Sequence, residues 1–396
     1  MNISLCLLAR DEEANLAACL ESVRDQVNEL IVLDTGSTDR TAEIAREQGA
    51  QVFAYAWQDD FAAARNESLR HATGDWVLVL DADERLIPGV IEQIRPLLAD
   101  ESTLVVNLLR QEVGSQQQPY SQVSRLFRRH PELSFSRPYH ELIDDSVLAL
   151  QQREPHWKVV DFPNLAILHT GYQPEAIAQR QKQQRAQAAL ERYHQTHPDD
   201  AYVCSKLGGL YLSAGEPKQA LKLLKHGLKY GQPEAPVRYE LHYHLGLVQQ
   251  RLGDYSEAMK HYRQAIDEPI PPVLRVGALT NLAALYREQR ELQRALNCCQ
   301  LAVNAAPDYA PAHYNFGMTL RAAGDLKGAI AAYRRAADLD PSVAAVHQNL
   351  GVALFQGGLI DTAREEFQRA IELYRQQGSA EGDRLTQELQ TLGIKL

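Results

Sequence analysis

Small residues recur through the second half of the chain at an almost fixed interval. That register constrains the fold more than any other feature. Gly208, Gly246, Ala283, Gly317 and Gly351 stand 38, 37, 34 and 34 residues apart. Ala220, Ala258, Ala295, Ala329 and Ala363 keep the same intervals, as do Gly227, Ala265, Ala302, Ala336 and Ala370. Between the last two sets sits a bulkier residue: Leu224, Tyr262, Cys299, Tyr333 and Phe367. Small residues at such points let paired helices approach closely, and the bulky one fills the groove between them. Pro307 and Pro341 fall at repeat ends, where a helix must stop. Self-similarity at this period predicts stacked helix pairs forming an all-α solenoid, with five copies over residues 201–377. Residues 378–396 read as a closing helix with a polar outer face, and residues 173–200 as a helix linking the halves. Packing roles account for every regular position here, so this half reads as a binding or oligomerisation element.

The first half has another period. "NISLCLLA", "ELIVLD", "AQVFAYA" and "DWVLVLD" read as strands, separated by helical stretches such as "EEANLAACLESV" and "FAAARNESLRHATG". That succession predicts a mostly parallel sheet with helices on both faces. The run Trp76-Val77-Leu78-Val79-Leu80 is unalternating and β-branched, as a strand buried on both faces should be. It ends in Asp81-Ala82-Asp83-Glu84. Clustered carboxylates are costly to bury unpaired, but they suit the carboxyl edge of an open α/β sheet, where ligands bind. Asp81 and Asp83 are spaced to face one hard cation. A cap for a helix beginning at Pro88 is the alternative. The second strand also runs into an acid, Asp34, followed by "TGSTDRT".

The 396 residues carry 41 Lys plus Arg against 51 Asp plus Glu, a formal charge of −10. This argues against non-specific nucleic-acid binding. No apolar run approaches the ~18 residues of a membrane span. The amino terminus has no basic segment and meets acids by position 11, so no signal peptide is expected. The five cysteines form no C-x-x-C pair, and the adjacent Cys298 and Cys299 cannot form an ordinary bridge. A reduced, cytoplasmic setting is expected, with a peripheral position at the inner membrane face compatible with it.

"LLARDEEANLAACLESV", "VLDTGSTDRTAEIA", "ARNESLRHATGDWVLVLDADE", "RLFRR" and "YHELI" occur in that order over residues 1–172. Together they resemble glycosyltransferase family 2, which has the GT-A fold of nucleotide-diphospho-sugar transferases, a Rossmann-like, mostly parallel sheet. The nearest likeness is to bacterial members acting on lipopolysaccharide cores, cell-surface glycans or peptides. Residues 201–377 resemble tetratricopeptide repeats, which some of those members also carry. The resemblance implies inverting hexosyl transfer from a nucleotide-sugar, UDP favoured, with Mn²⁺ or Mg²⁺. It implies a glycan, lipid-linked or peptide acceptor, and a protein partner for the repeats.

The resemblance also implies site roles. Asp83 touches the metal directly, while Asp81 faces the metal, a metal-bound water or the ribose. Glu84 caps the following helix. Asp34 and Asp39 meet base and ribose, although many members have two acids where this chain has Asp34-Thr35; Asp39 alternatively caps a helix over 38–48. Ala9, Arg10, Asp11 and Glu12 stand where relatives have Thr-Lys-Asn-Glu. Their loop wraps the base, with Arg10 toward a phosphate. Arg65, beside Asn66, contacts a phosphate or forms a structural salt bridge. Glu141 is the expected base that deprotonates the acceptor, with His140 lining the site; a surface turn is the alternative. Arg125 and Arg128 neutralise phosphates or are strand-edge charges. His169, in "HTGY", is a metal or diphosphate ligand or a satisfied structural histidine.

Two rivals remain. A phosphatase of the haloacid dehalogenase type also uses D-x-D, but after its first core strand, whereas three strand–helix units precede it here. A non-catalytic repeat adaptor carrying an inactive transferase domain is the alternative function. Dinucleotide binding fails because no G-x-G-x-x-G follows the first strand.

Overall fold

The computed structural model describes residues 1–115, 119–170 and 176–394. It divides into two compact units, Met1–Gln232 and Pro233–Leu396.

The first unit opens with β1 (Ile3–Ala9), α1 (Leu16–Val23), β2 (Glu29–Asp34), α2 (Thr41–Glu47), β3 (Gln51–Ala54), α3 (Phe61–His71) and β4 (Trp76–Asp81). These strands lie in the order β3-β2-β1-β4, all parallel. Burial alternates between two cores. Trp76, Leu78 and Leu80 of β4 join one apolar cluster with Leu5 and Leu7 of β1, while Val77 and Val79 join Cys6 in the other. A strand feeding two cores has no polar face, which explains the unbroken apolar run. Register then sets the site: Ala9 pairs with Asp34, and Leu8 with Asp81. Strands β1, β2 and β4 therefore end at one level, on one edge.

Beyond β4 the sheet becomes mixed. The elements are β5 (Glu84–Leu86), α4 (Val90–Ala99), β6 (Thr103–Glu112), β7 (Tyr120–Arg128), α5 (Asp144–Arg153) and β8 (Lys158–His169). The eight-stranded order is β3-β2-β1-β4-β7-β6-β8-β5. β7 runs antiparallel to both β4 and β6, and β5 antiparallel to β8. Strand β5 brings Glu84 opposite His169. Glu84 therefore lies in a strand and caps no helix, contrary to expectation. Helix α4 instead starts after Gly89, whose φ of 76° suits glycine.

Helix α6 (Ala176–Thr196) and the pair α7 (Ala201–Ser213) and α8 (Pro217–Tyr230) complete this unit. The second unit holds α9 (Ala235–Leu252), α10 (Tyr255–Asp267), α11 (Val276–Glu288), α12 (Leu292–Ala305), α13 (Ala310–Ala322), α14 (Leu326–Leu339), α15 (Ala344–Gln356), α16 (Ile360–Gln376) and α17 (Glu381–Thr391). Among the described residues no helix is long and apolar enough to cross a membrane.

Each helix pair is set by one small–large contact. A Cβ placed on Gly208, Gly246, Gly317 or Gly351 would stand 2.5–2.7 Å from Leu224, Tyr262, Tyr333 or Phe367 respectively. The remaining copy carries Ala283, and its partner there is the smaller Cys299. The close approach leaves no room for a side chain opposite the large residue, as close packing requires. Gly317→Ala should therefore destabilise the chain by about 1–3 kcal/mol through overpacking, despite alanine's better helix propensity. Adding Tyr333→Cys should recover part of that loss. Thermal unfolding of the full chain checks both, and additive losses in the double variant would show that the pair is not coupled.

Candidate functional site

The loops after β1 and β2 are stitched to each other. The Asp11 amide donates to Ser37 Oγ (3.0 Å), the Glu12 amide to Thr41 Oγ1 (2.7 Å) and the Glu13 amide to Asp39 Oδ2 (3.1 Å). In return the Thr38 amide donates to Asp11 Oδ1 (2.7 Å) and the Arg40 amide to Glu13 Oε2 (3.2 Å). Asp11 adopts a φ of 54° to do this. Asp34 Oδ1 accepts from the Ser37 amide (3.0 Å), tightening its turn. Asp39 Oδ1 also accepts from the Thr41 amide (2.9 Å), so both its oxygens are engaged within the protein at the start of α2. Ala9 is buried beneath this double loop, and Arg10 is exposed on it. Glu12 accepts from Asn15 Nδ2 (2.9 Å) at the start of α1.

At the end of β4 the acids meet arginines. Arg65 of α3 is 1 % exposed. It donates from Nε to Glu141 Oε1 (3.0 Å), from Nη1 to the Leu80 carbonyl (3.3 Å) and from Nη2 to Asp81 Oδ1. Arg125 of β7 donates to the other Asp81 oxygen (2.9 Å). Burial opposes charge on Asp81, but Arg125 and Arg65 hold its carboxyl well below the usual range. Arg125 Nη1 is buried with no hydrogen bond, and Glu84 Oε2 stands 3.9 Å away. Arg128 lies elsewhere, its guanidinium 4.9 Å from the centroid of the Trp76 ring and bonded to the Thr103 carbonyl (3.1 Å). Asn66 is structural: its amide group exchanges two hydrogen bonds with the Phe135 backbone.

Ala82 and Asp83 form a turn, so the strand alternation that would aim Asp81 and Asp83 at one point is broken. Asp83 instead faces His169, with Oδ2 3.2 Å from Nε2. The other ring nitrogen, Nδ1, is 2.5 Å from Glu112 Oε2. Burial disfavours charge on the ring, yet bonds to Asp83 and Glu112 raise His169 to about 10. Glu112 is held at about 2: burial opposes its charge, and His169 and Arg110 outweigh burial. Arg110 of β6 bridges Glu112 (2.8 Å) and the fully buried Glu84 (2.6 Å). Glu84 in turn accepts from the Asp81 amide (2.8 Å) and so shapes the acidic turn.

This donor set fits a hard divalent cation. Asp83 and His169, whose Oδ2 and Nε2 stand 3.2 Å apart, are the side chains that would hold it. Glu112 on Nδ1 gives the carboxylate–histidine arrangement that fixes ring orientation at metal sites. A cation would take the place of the Nε2 proton. Among the described residues no three ligating side chains converge, so the remaining ligands would come from substrate or water. Gly171 and Tyr172 of the "HTGY" stretch lie outside the described residues.

Glu141 hangs from a constrained segment. Ser136 and Leu142 exchange two backbone hydrogen bonds, of 2.8 and 3.1 Å. Arg137 and His140 between them take φ of 74° and 54°, conformations that L-residues adopt at a cost. Arg137 is bound by Asp145 (2.6 Å) and by Asp200 (2.9 Å), the residue that caps α7. Tyr139 packs edge-on to Phe61 and joins Leu190, Val203 and Leu207 of α6 and α7. His140 is exposed. The first repeat is thus part of what holds Glu141.

Sequence reasoning missed Arg110, Glu112, and the destination of Glu84. The signal for the first two was present: "LVVNLLRQE" is a second apolar run closing on charge, with Arg110 and Glu112 at i, i+2 on one strand face.

Comparison with known proteins agrees with this architecture. The family described as Glycosyl transferase family 2 matches residues 4–160. Tetratricopeptide-repeat families match residues 179–239, 239–268, 275–305 and 314–378. A TPR repeat-containing protein of Synechococcus elongatus is 50% identical over 305 residues, covering 77% of this chain and 76% of that protein. The SPbeta prophage-derived glycosyltransferase SunS of Bacillus subtilis is 28% identical over 205 residues, covering 50% of this chain and 46% of that one. An uncharacterized glycosyltransferase of Rickettsia felis is 31% identical over 160 residues, 37% of this chain and 54% of that one. The chain therefore carries a glycosyltransferase family 2 domain over residues 4–160, followed in sequence by tetratricopeptide repeats, and belongs with repeat-containing proteins of that architecture.

Proposed function

We propose that the protein is a metal-dependent, inverting glycosyltransferase. It takes a hexosyl group from a nucleotide-diphosphate donor, UDP-sugars favoured, to a cell-surface glycan, lipopolysaccharide or peptide acceptor. The observation that carries this reading is the Asp83–His169–Glu112 arrangement, on the same sheet edge as the Asp34 loop. The glycosyltransferase names of SunS and the Rickettsia protein support it. The setting proposed is cytoplasmic, at the inner face of the membrane.

In this reading Asp83 and His169 would hold Mn²⁺ or Mg²⁺, and the ion would supply Lewis-acid stabilisation of the leaving diphosphate. Arg125, bound to Asp81, adds positive charge beside the place of the diphosphate. The loops of Ala9–Glu12 and Asp34–Asp39 frame the nucleotide. Arg65 takes only Oε1 of Glu141, and Oε2 receives the acceptor hydroxyl proton. The backbone strain at Arg137 and His140 is held against relaxation by the Asp200 contact, which keeps the base in place.

One observation favours a second reading, a non-catalytic adaptor. Both Asp81 oxygens and one of Glu141 are bound by arginines of the same chain, so these acids are matched without a ligand. Manganese-dependent hydrolysis across a nucleotide-sugar panel separates the two, because an adaptor turns nothing over.

Asp83→Asn should abolish transfer while circular dichroism stays unchanged; retained turnover with ordinary metal dependence would remove Asp83 from the metal site. Glu141→Gln should keep donor affinity and lose roughly 10²-fold or more in transfer rate. Equal losses in affinity and rate would make Glu141 a donor-side or structural residue. A chain ending at residue 232 should stay soluble and hydrolyse donor slowly, but lose most transfer to its natural acceptor. A chain ending at residue 198 lacks Asp200 and α7 and should lose donor hydrolysis as well. If the two truncations behave alike, the first repeat does not support the site.

A further inference from the structure

Half of the chain's 10 lysines fall between Lys206 and Lys229. Four of these five, Lys218, Lys222, Lys225 and Lys229, lie on α8 at i, i+4, i+7 and i+11. At 100° per residue that spacing keeps them within an arc of about 60° and a length of about 16 Å. All four are exposed. None is paired with a carboxylate among the described residues, and α8 itself contains no acid. The nearby Asp199 is taken by His226 (2.7 Å).

The same four positions in the other second helices are also exposed and carry a different content. They read Ser256, Lys260, Arg263, Asp267 in α10, and Gln293, Asn297, Gln300, Asn304 in α12. They read Lys327, Ala331, Arg334, Asp338 in α14, and Asp361, Glu365, Gln368, Glu372 in α16. Repeat packing therefore does not ask for lysine there. A cationic stripe in a chain of net charge −10 is a local feature that sets this helix apart from the other repeats.

We infer that the lysine stripe of α8 docks the protein on an anionic phospholipid surface. Charge complementarity selects the class, and magnitude selects within it. Lysine is a compact, well-hydrated cation suited to a fluid layer of headgroups, not to bidentate pairing with fixed carboxylates. Each lysine near an anionic leaflet strengthens partition about fivefold, so four give several-hundredfold. The acidic stripe of α16 on a second copy is a weaker partner. Its Asp361 and Glu372 already face Arg364 (3.5 Å) and Arg369 (3.7 Å), and exposed ion pairs contribute little. The acidic remainder of the chain is repelled by the same surface, so the stripe also orients the molecule.

The test is co-sedimentation of the full-length chain with phosphatidylcholine vesicles, with or without about a third phosphatidylglycerol. It reads partition alone and does not depend on the transferase reading. The wild type should pellet only with the anionic vesicles, and binding should fall steeply as salt is raised from about 0.05 to 0.5 M. The four-site variant K218Q/K222Q/K225Q/K229Q, checked by circular dichroism, should lose at least tenfold. The four-site Lys→Arg variant should retain binding, and K158Q/K260Q/K327Q should bind as the wild type. Absent or salt-insensitive binding, or equal loss in the two Gln variants, overturns the inference. Equal capture on duplex DNA at the same salt would make the stripe a general polyanion site and overturn the lipid assignment.

Discussion

A guanidinium is buried where strand β4 ends, and the first unit is arranged around it. Arg65 has almost no exposed surface and cannot shed its proton. A buried charge of this kind is tolerable only if carboxylates and carbonyls meet it with good geometry. Asp81, Glu141 and the Leu80 carbonyl do so. Three distant segments are thereby fixed relative to one another: α3, the end of the central strand, and the loop that carries Glu141. The same logic repeats one layer away, where Arg110 binds Glu84 and Glu112. Five acids meet on this edge, and three arginines and one histidine hold them at close range.

Much of this was legible in the residues, and the limits have physical causes. The strand running into acids is readable because few other environments tolerate that juxtaposition. The repeat is readable because its packing positions keep one register. The partners of the acids were harder to see. Arg110 and Glu112 lie on a strand about 30 residues downstream of Asp81 and Asp83, and only the sheet order makes them neighbours. Glu84 looked like a helix cap because acids commonly precede helices. Three-residue strands such as β5 leave no periodic signature, so its pairing with β8 was invisible.

The join between the halves shows another limit. Sequence periodicity separates residues 173–200 and the first repeat from the sheet domain, whereas the compact unit extends to Gln232. Periodicity reports how helices pair with each other. It does not report that Asp200, an ordinary helix cap, also reaches Arg137 beside the Glu141 loop. A cap and a clamp use the same residue type, so only the fold distinguishes them.

The small–large contact inside each helix pair bears on how such arrays change over evolutionary time. A methyl gained opposite a large residue needs room that the partner helix must give up, and the one copy with alanine, Ala283, has the small Cys299 at the matching position where the Gly317 copy has Tyr333. Drift at either position alone meets a barrier, and recombination within a repeat brings together halves that do not fit. Duplication or deletion of a whole pair carries both halves of the match and meets no such barrier. Arrays of this kind should lengthen and shorten by entire repeats, and their two matched positions should vary together while surface positions vary freely.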